Sequence, residues 1–380
     1  MTVIANGATA TAAKSLTSQS RFCAVVSREN DEDPIGTAPD FDHLLALELA
    51  PPWPEEVWQA GHTPDSLTDL FQQARTQGLR LATQAILPSL TYHSRPGWTR
   101  LFSLRRPVGP FAVYLKEEFI VPNRAVTALV EALLLNPAAL AEFTPFRQPT
   151  THLRELLVCT HGSRDACCGK FGFPAFQALQ RYAAHTPNLF RVWRTSHFGG
   201  HRFAPTVLDL PEGRCWGHLE LEALEDLALR RGQVSQLRSF YRGWSGLTRY
   251  EQVAERELFM RQGWDWVNYL KEVRTLELDE GQNRAEIWLR YTTPDGRIGG
   301  AYQATVDFSH WVSTLDQTGD RQLTPVKQYR VSRLVKAFET PESAKSINGS
   351  NKKYSVDPNL PAVAAPTQAR ETAPLQKLDL

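Results

Sequence analysis

The chain has 380 residues, 42% hydrophobic and 22% charged, with a formal net charge of +1, the make-up of a globular protein with room for two or three cores. So small a net charge gives no electrostatic case for nucleic acid or an anionic membrane as partner. No apolar run reaches the roughly eighteen residues of a membrane-spanning helix; the longest, residues 126–143, is broken by Glu131, Pro137 and Glu142.

Residues 1–20 are rich in Ala, Ser and Thr and lack the apolar core of a secretory signal, so they read as a disordered segment of a cytoplasmic protein. The five cysteines, Cys23, Cys159, Cys167, Cys168 and Cys215, are odd in number and two are adjacent. That is a poor disulfide framework and a better metal or redox set.

Residues 21–148 open with an expected strand at Leu44–Leu49, stopped by Pro51, Pro52 and Pro54. Helical spacing follows over Asp65–Gln77, with Leu67, Leu70 and Phe71 on one face. Extended runs at Leu79–Leu87, Thr99–Arg105 and Phe111–Val121 lead to a helix over Arg124–Leu135, with Val126, Leu129, Val130 and Leu133 as its stripe. The order β-α-β-β-β-α is close to a thioredoxin-like one.

Residues 149–245 repeat that order. Leu153–Thr160 reads as a strand, Phe173–Ala184 as a helix and Phe190–Ser196 as extended. Val207–Leu210 pairs with Cys215–Leu219 across the Pro211–Glu212–Gly213 turn, and Glu222–Leu237 forms a closing helix. The expected fold class is therefore α/β, with two thioredoxin-like halves. A small α+β module over 246–340 adds a helix near Glu251–Trp266 and strands at Val273–Leu278, Ala285–Tyr291 and Ile298–Val306, the last two joined at Asp295–Gly296. Residues 341–380 are poor in large apolar side chains and read as a disordered tail.

Two loops carry the chemistry. One starts at Cys159, at the end of a strand, and runs through small residues to Cys167, Cys168 and Gly169; such loops turn backbone N–H groups inward. The other holds His197-Phe198-Gly199-Gly200-His201. A zinc-protease pair needs a glutamate where Phe198 stands, so that class is excluded. Thiolates with imidazoles suit zinc or an iron–sulfur cluster. Cys167 and Cys168 cannot both point into one small site, and the residues alone leave the choice open. The first half offers no such set and reads as scaffold.

Cys159–Gly169, Val192–Pro205 and Leu208–Gly217, with Pro34-Ile35-Gly36-Thr37-Ala38 upstream, resemble the sucrase/ferredoxin-like family over roughly residues 20–240. The resemblance implies a thioredoxin-like fold and a [2Fe–2S] cluster held by Cys159, Cys168, His197 and His201, and it selects Cys168 over Cys167. The implied function is electron transfer with a partner protein or reductase. No carboxylate pair supports sugar hydrolysis. A structural zinc site on the same four ligands is the alternative; a thiol oxidoreductase using Cys167–Cys168 lacks a Cys-x-x-Cys motif.

Two imidazoles in place of two thiolates remove negative charge. The expected potential lies above the roughly −400 mV of plant-type ferredoxins, with proton coupling at the free imidazole nitrogen and lability in acid. Arg164, Lys170, Arg194 and Arg202 flank the ligands. Asp165 is expected to bond loop amides and His161 to bond within its loop. Cys215 and Cys23 read as packed thiols, Cys23 in the first core. Trp244, Trp264 and Trp266 read as anchors of the C-terminal module.

Overall fold

The computed structural model describes residues 21–59 and 63–337. The expected disordered ends, 1–20 and 341–380, lie outside the described residues.

After a short helix α1 (Cys23–Glu29), the first half comprises β1 (His43–Glu48), α2 (Asp65–Thr76), β2 (Leu81–Ile86), β3 (Trp98–Arg105), β4 (Leu115–Pro122) and α3 (Val126–Leu134). β1 is buried along its whole length because alternate residues serve opposite faces. Leu45 and Leu47 pack with Leu67 and Phe71 of α2 and Leu129 and Val130 of α3. Leu44 and Ala46 face the other way, toward Phe102, Leu157, Trp193 and Trp244.

The second half comprises β5 (Arg154–Cys159), α4 (Ala166–His185), β6 (Phe190–Thr195), β7 (Val207–Leu210), β8 (Arg214–Trp216), α5 (Leu224–Leu229) and β9 (Tyr241–Trp244). In each half the first two strands run parallel and the third pairs antiparallel with the first. The orders β4-β3-β1-β2 and β6-β5-β7-β8 are mirror images, the thioredoxin-like arrangement twice over. They meet edge to edge at Ile86↔Thr195, giving one nine-stranded sheet closed by β9.

A buried charge network spans the junction. Arg100 pairs with Glu48 and Glu118, Arg191 with Glu118 and Glu155, and Lys116 with Glu155. The Trp193 indole donates to Glu155 at 2.7 Å. Desolvation makes such pairs poor net stabilisers, but removing one member strands a buried charge and costs about 3–5 kcal/mol.

Beyond the sheet, α6 (Arg249–Gln262) starts at a capping box of Thr248 and Glu251. β10 (Leu270–Asp279), β11 (Arg284–Thr292), β12 (Gly299–Thr314) and β13 (Thr324–Ala337) form an antiparallel meander. Its inner face, with Ile287, Leu289 and Val306, packs on Val253, Leu258 and Phe259 of α6 and shares a core with Leu156 and Leu179 of the second half.

Four sequence expectations change. The closing helix expected over Glu222–Leu237 is broken: α5 ends at Arg230, whose φ of 51° is left-handed, and a 3₁₀ stretch occupies Val234–Phe240. α4 starts at Ala166 rather than Phe173, because Gly169 and Gly172 serve close packing there instead of breaking the helix. Trp244 belongs to β9 and to the core beneath the first half, not to the C-terminal module. Cys23 packs against Cys167, Ala204 and Leu315 rather than in the first core. α1, β9 and β13 are additional elements.

Candidate metal centre

Cys159 is the last residue of β5, held by its N–H to the Thr206 carbonyl at 3.1 Å. α4 starts beside it, capped by Asp165, whose carboxylate accepts from the Cys167 N–H at 2.7 Å. The helix lies close because Gly172 has no side chain: a Cβ there would stand 1.9 Å from the Cys159 carbonyl oxygen. Cys167 and Cys168, on the first turn, point about 100° apart. The Cys168 thiol turns toward Cys159. The Cys167 thiol turns away, 3.4 Å from Cys23 Sγ and 3.1 Å from Thr318 Oγ1.

His197 follows β6 directly. Its backbone N–H donates to His161 Nδ1 at 3.2 Å, while His161 Nε2 donates to the Pro54 carbonyl at 2.8 Å. His161 is thus a neutral loop fastener, and burial lowers its pKa. His197 Nδ1 lies 3.8 Å from Cys159 Sγ and 3.7 Å from Cys168 Sγ. The three ligand atoms sit within 4.8 Å of one another.

His201 is placed differently. Its ring is 5.3 Å from that of His197, centroid to centroid. Its Nε2 meets the Asp316 carbonyl at 2.5 Å, and its Nδ1 is buried without a hydrogen-bond partner. With Nε2–H as donor, Nδ1 keeps a lone pair that nothing in the protein uses. His201 also groups with Cys23 and Asp165 within 4.8 Å. The structure thus brings Cys159, Cys168 and His197 into one cluster and sets His201 alongside.

Burial opposes ionisation of Cys159, yet the Cys168 thiol and the His197 imidazole hold its pKa well below the ordinary thiol value. Cys168 moves the other way, raised first by its bond to Cys159 and then by burial. One thiol of the pair therefore ionises readily. Burial lowers the His201 pKa, with the Asp316 carbonyl opposing. Two thiols, an imidazole nitrogen and an orphaned buried imidazole nitrogen are a donor set that fits an iron–sulfur cluster or zinc.

The flanking cations are mostly engaged. Arg164 pairs with Glu55, Arg202 Nε with Glu32 at 2.7 Å, and Lys170 lies 3.9 Å over the Phe22 ring. Arg194 donates to Thr160 Oγ1 at 3.2 Å. Asp165 bonds Thr318 N–H and Oγ1 besides its own helix, and these bonds outweigh burial to lower its pKa. Cys215 is fully buried, 3.5 Å from Ser245 Oγ. Arg242, Asp316 and Thr318 were not identified from sequence. The last two lie in a polar loop between β12 and β13, distant in the chain and without a motif.

The chain belongs to the sucrase/ferredoxin-like family, whose model matches residues 34–243, more than half of the 380-residue chain. Over 84 residues it is 32% identical to the altered inheritance of mitochondria protein 32 of Clavispora lusitaniae. That match covers 20% of this chain and 31% of the relative, so the chain spans about a third of the length of the curated relative it matches. The thioredoxin-like [2Fe–2S] ferredoxin of Aquifex aeolicus is 16% identical over 21% of this chain and 85% of its own. A cysteine-to-serine variant of that ferredoxin is 18% identical over 21% and 86%; both have a TM-score of 0.19, too low to carry an argument. Among the described residues no helix is long and apolar enough to cross a membrane.

Proposed function

We propose that this member of the sucrase/ferredoxin-like family is an electron-transfer protein whose [2Fe–2S] cluster is held by Cys159, Cys168, His197 and His201. The observation that carries the reading is the convergence of Cys159 Sγ, Cys168 Sγ and His197 Nδ1 at 3.7–3.8 Å. The unpartnered Nδ1 of His201 beside them supports it. When bound, the cluster would supply one-electron transfer.

The protein's own groups shape that chemistry. Cys168 and His197 favour the thiolate form of Cys159 against its burial. His161 fixes the backbone of His197, and the Asp316 carbonyl holds the Nε2 proton of His201, leaving Nδ1 to bind. That Nε2 proton lies at the exposed side of the site, so its release on oxidation would couple proton to electron. Neutral imidazoles leave less negative charge than thiolates, which favours reduction. A partner protein or reductase is the expected source or acceptor of the electron.

The test is anaerobic purification of the full chain with iron, sulfide and zinc analysis. The reading expects a red-brown protein with two irons and two sulfides per chain. A colourless protein with one zinc and no iron would replace it with a structural zinc site on the same donors.

A further inference from the structure

Arg242 sits on β9 with 1% of its surface exposed, and the histidine loop is wound round its guanidinium. Nη1 donates to the Gly199 carbonyl at 3.0 Å. The rings of Phe198 and Phe203 flank it at 6.0 and 5.7 Å from their centroids. Gly199 and Gly200 have φ of 87° and 78°, the left-handed region that favours glycine. A Cβ on Gly200 would lie 2.5 Å from Nη2. The two glycines between the histidines are therefore there to let the chain curl against this one side chain.

The rest of the fork is equally committed. Nη2 donates to the Thr37 carbonyl at 2.5 Å and Nε to Thr37 Oγ1 at 3.1 Å. In return the Gly36 and Thr37 N–H groups donate to the Arg242 carbonyl at 2.9 and 3.3 Å. Residues 34–38, far upstream of the ligands, join the site through this residue. Three acceptors in two directions match a planar guanidinium and not a lysine ammonium.

Its charge has no obvious owner. Among the described residues no carboxylate stands within ion-pair distance of Arg242, in contrast to the buried Arg100, Arg191 and Arg214. A buried cation without a counter-charge costs several kcal/mol. Burial lowers its pKa, and the thiols of Cys215, Cys159 and Cys168 act against that.

We propose that Arg242 is the positioning residue of the histidine pair, fixing loop 197–203 and placing an uncompensated positive charge against it. The proposal rests on reading that loop as cluster-binding, and its structural part is tested without a cluster.

The experiment compares the full wild-type chain with Arg242→Met, Arg242→Lys and Thr37→Val. In the metal-free proteins, hydrogen exchange of peptides covering 197–203 should rise about tenfold in Arg242→Met and Arg242→Lys and less in Thr37→Val, with β1–β4 unchanged. In the loaded proteins the midpoint potential should fall in Arg242→Met and stay near wild type in Arg242→Lys, because only the former loses the charge. Unchanged exchange over 197–203 overturns the positioning role, and so does exchange that rises equally throughout the chain. An unchanged potential in Arg242→Met overturns the electrostatic role. A wild-type chain that binds no cluster overturns the functional reading, while the exchange arm still decides what Arg242 does for the loop.

Discussion

The two halves of the nine-stranded sheet share one plan and diverge at the end of their first strands. Pairing runs Glu48↔Ile86 between β1 and β2, Ile86↔Thr195 across the junction and Thr195↔Cys159 between β6 and β5. These four residues form a row, and Glu48 occupies the place in the first half that Cys159 occupies in the second. Glu48 is locked to Arg100 and is followed by Pro51, Trp53 and Pro54, which bring no ligand. Cys159 is followed by a loop, a capped helix and a second cysteine. The same fold thus builds a strut in one half and a donor set in the other. The strut is not idle: Pro54 anchors His161, Trp53 packs edge-on against it at 5.8 Å, and Glu55 pairs with Arg164.

The sharpest break of that comparison is to exchange roles at the two strand ends. Cys159→Ser should abolish cluster binding, lowering iron per chain by more than about tenfold, with little change in the fold. Glu48→Gln should leave the iron in place and cost about 3 kcal/mol of stability in a denaturant titration, because the buried network then carries one positive charge too many and Arg100 keeps only Glu118. Equal loss of iron in both variants would make the first half part of the site.

Next comes the helix that carries Cys168. Gly172→Ala gains about 1 kcal/mol of helix propensity. It also drives a Cβ into the Cys159 carbonyl, a backbone atom that cannot step aside, and such overpacking costs about 1–3 kcal/mol. The expected net result is a destabilised chain with reduced iron loading; a stabilised, fully loaded variant would show that α4 does not need that contact.

A buried histidine in each half, His43 in the first and His218 in the second, also has its pKa pushed far down. Burial, with Arg105 nearby, pushes the His43 pKa down to about 4. Burial, with Arg28, Arg242 and Arg202, pushes that of His218 down to about 3. Both lie below the unfolded value of 6.5, so above pH 6.5 they contribute no pH dependence. As pH falls below 6.5 the unfolded chain takes up these protons first, and stability is lost, down to about pH 4 for His43 and about pH 3 for His218. The slope is about 1.4 kcal/mol per pH unit for each. Thermal unfolding of the metal-free chain should show it, and His43→Gln should remove its own share of that slope, about 1.4 kcal/mol per pH unit, in the upper part of that window.

The smallest effect belongs to the contact between the two loops. Arg164 and Glu55 are partly exposed, at 29% and 61% of their side chains. Arg164→Ala should change stability by less than about 1 kcal/mol and leave the iron bound.

Much of this was legible in the residues. α2 carries a period-3.6 stripe because it buries one face, β1 and β5 are short apolar runs because the sheet buries them on both faces, and Cys159, His197 and His201 stand at or just after strand ends. The resemblance alone favoured Cys168; a physical ground for it needs the helix phase of α4, which is hidden in the sequence because Gly169, Gly172 and Pro174 look like breakers when no packing partner is in view. β9 is four residues long, and its Arg242 reads as an ordinary charged residue until the sheet buries it. Thr318 and Asp316 reach the site from a loop more than a hundred residues away, a proximity with no local signal. The break in the closing helix was carried by Arg230, at a left-handed turn where glycine is the usual marker.

On the proposed reading one cluster sits in the second half on mixed cysteine and histidine ligands. Pulsed EPR of the reduced full chain, grown with ¹⁵N-labelled histidine, tests it most directly. The expected result is nitrogen couplings that carry the ¹⁵N signature and diminish in His197→Cys and in His201→Cys. A reduced cluster with no histidine nitrogen coupled to it would contradict the account.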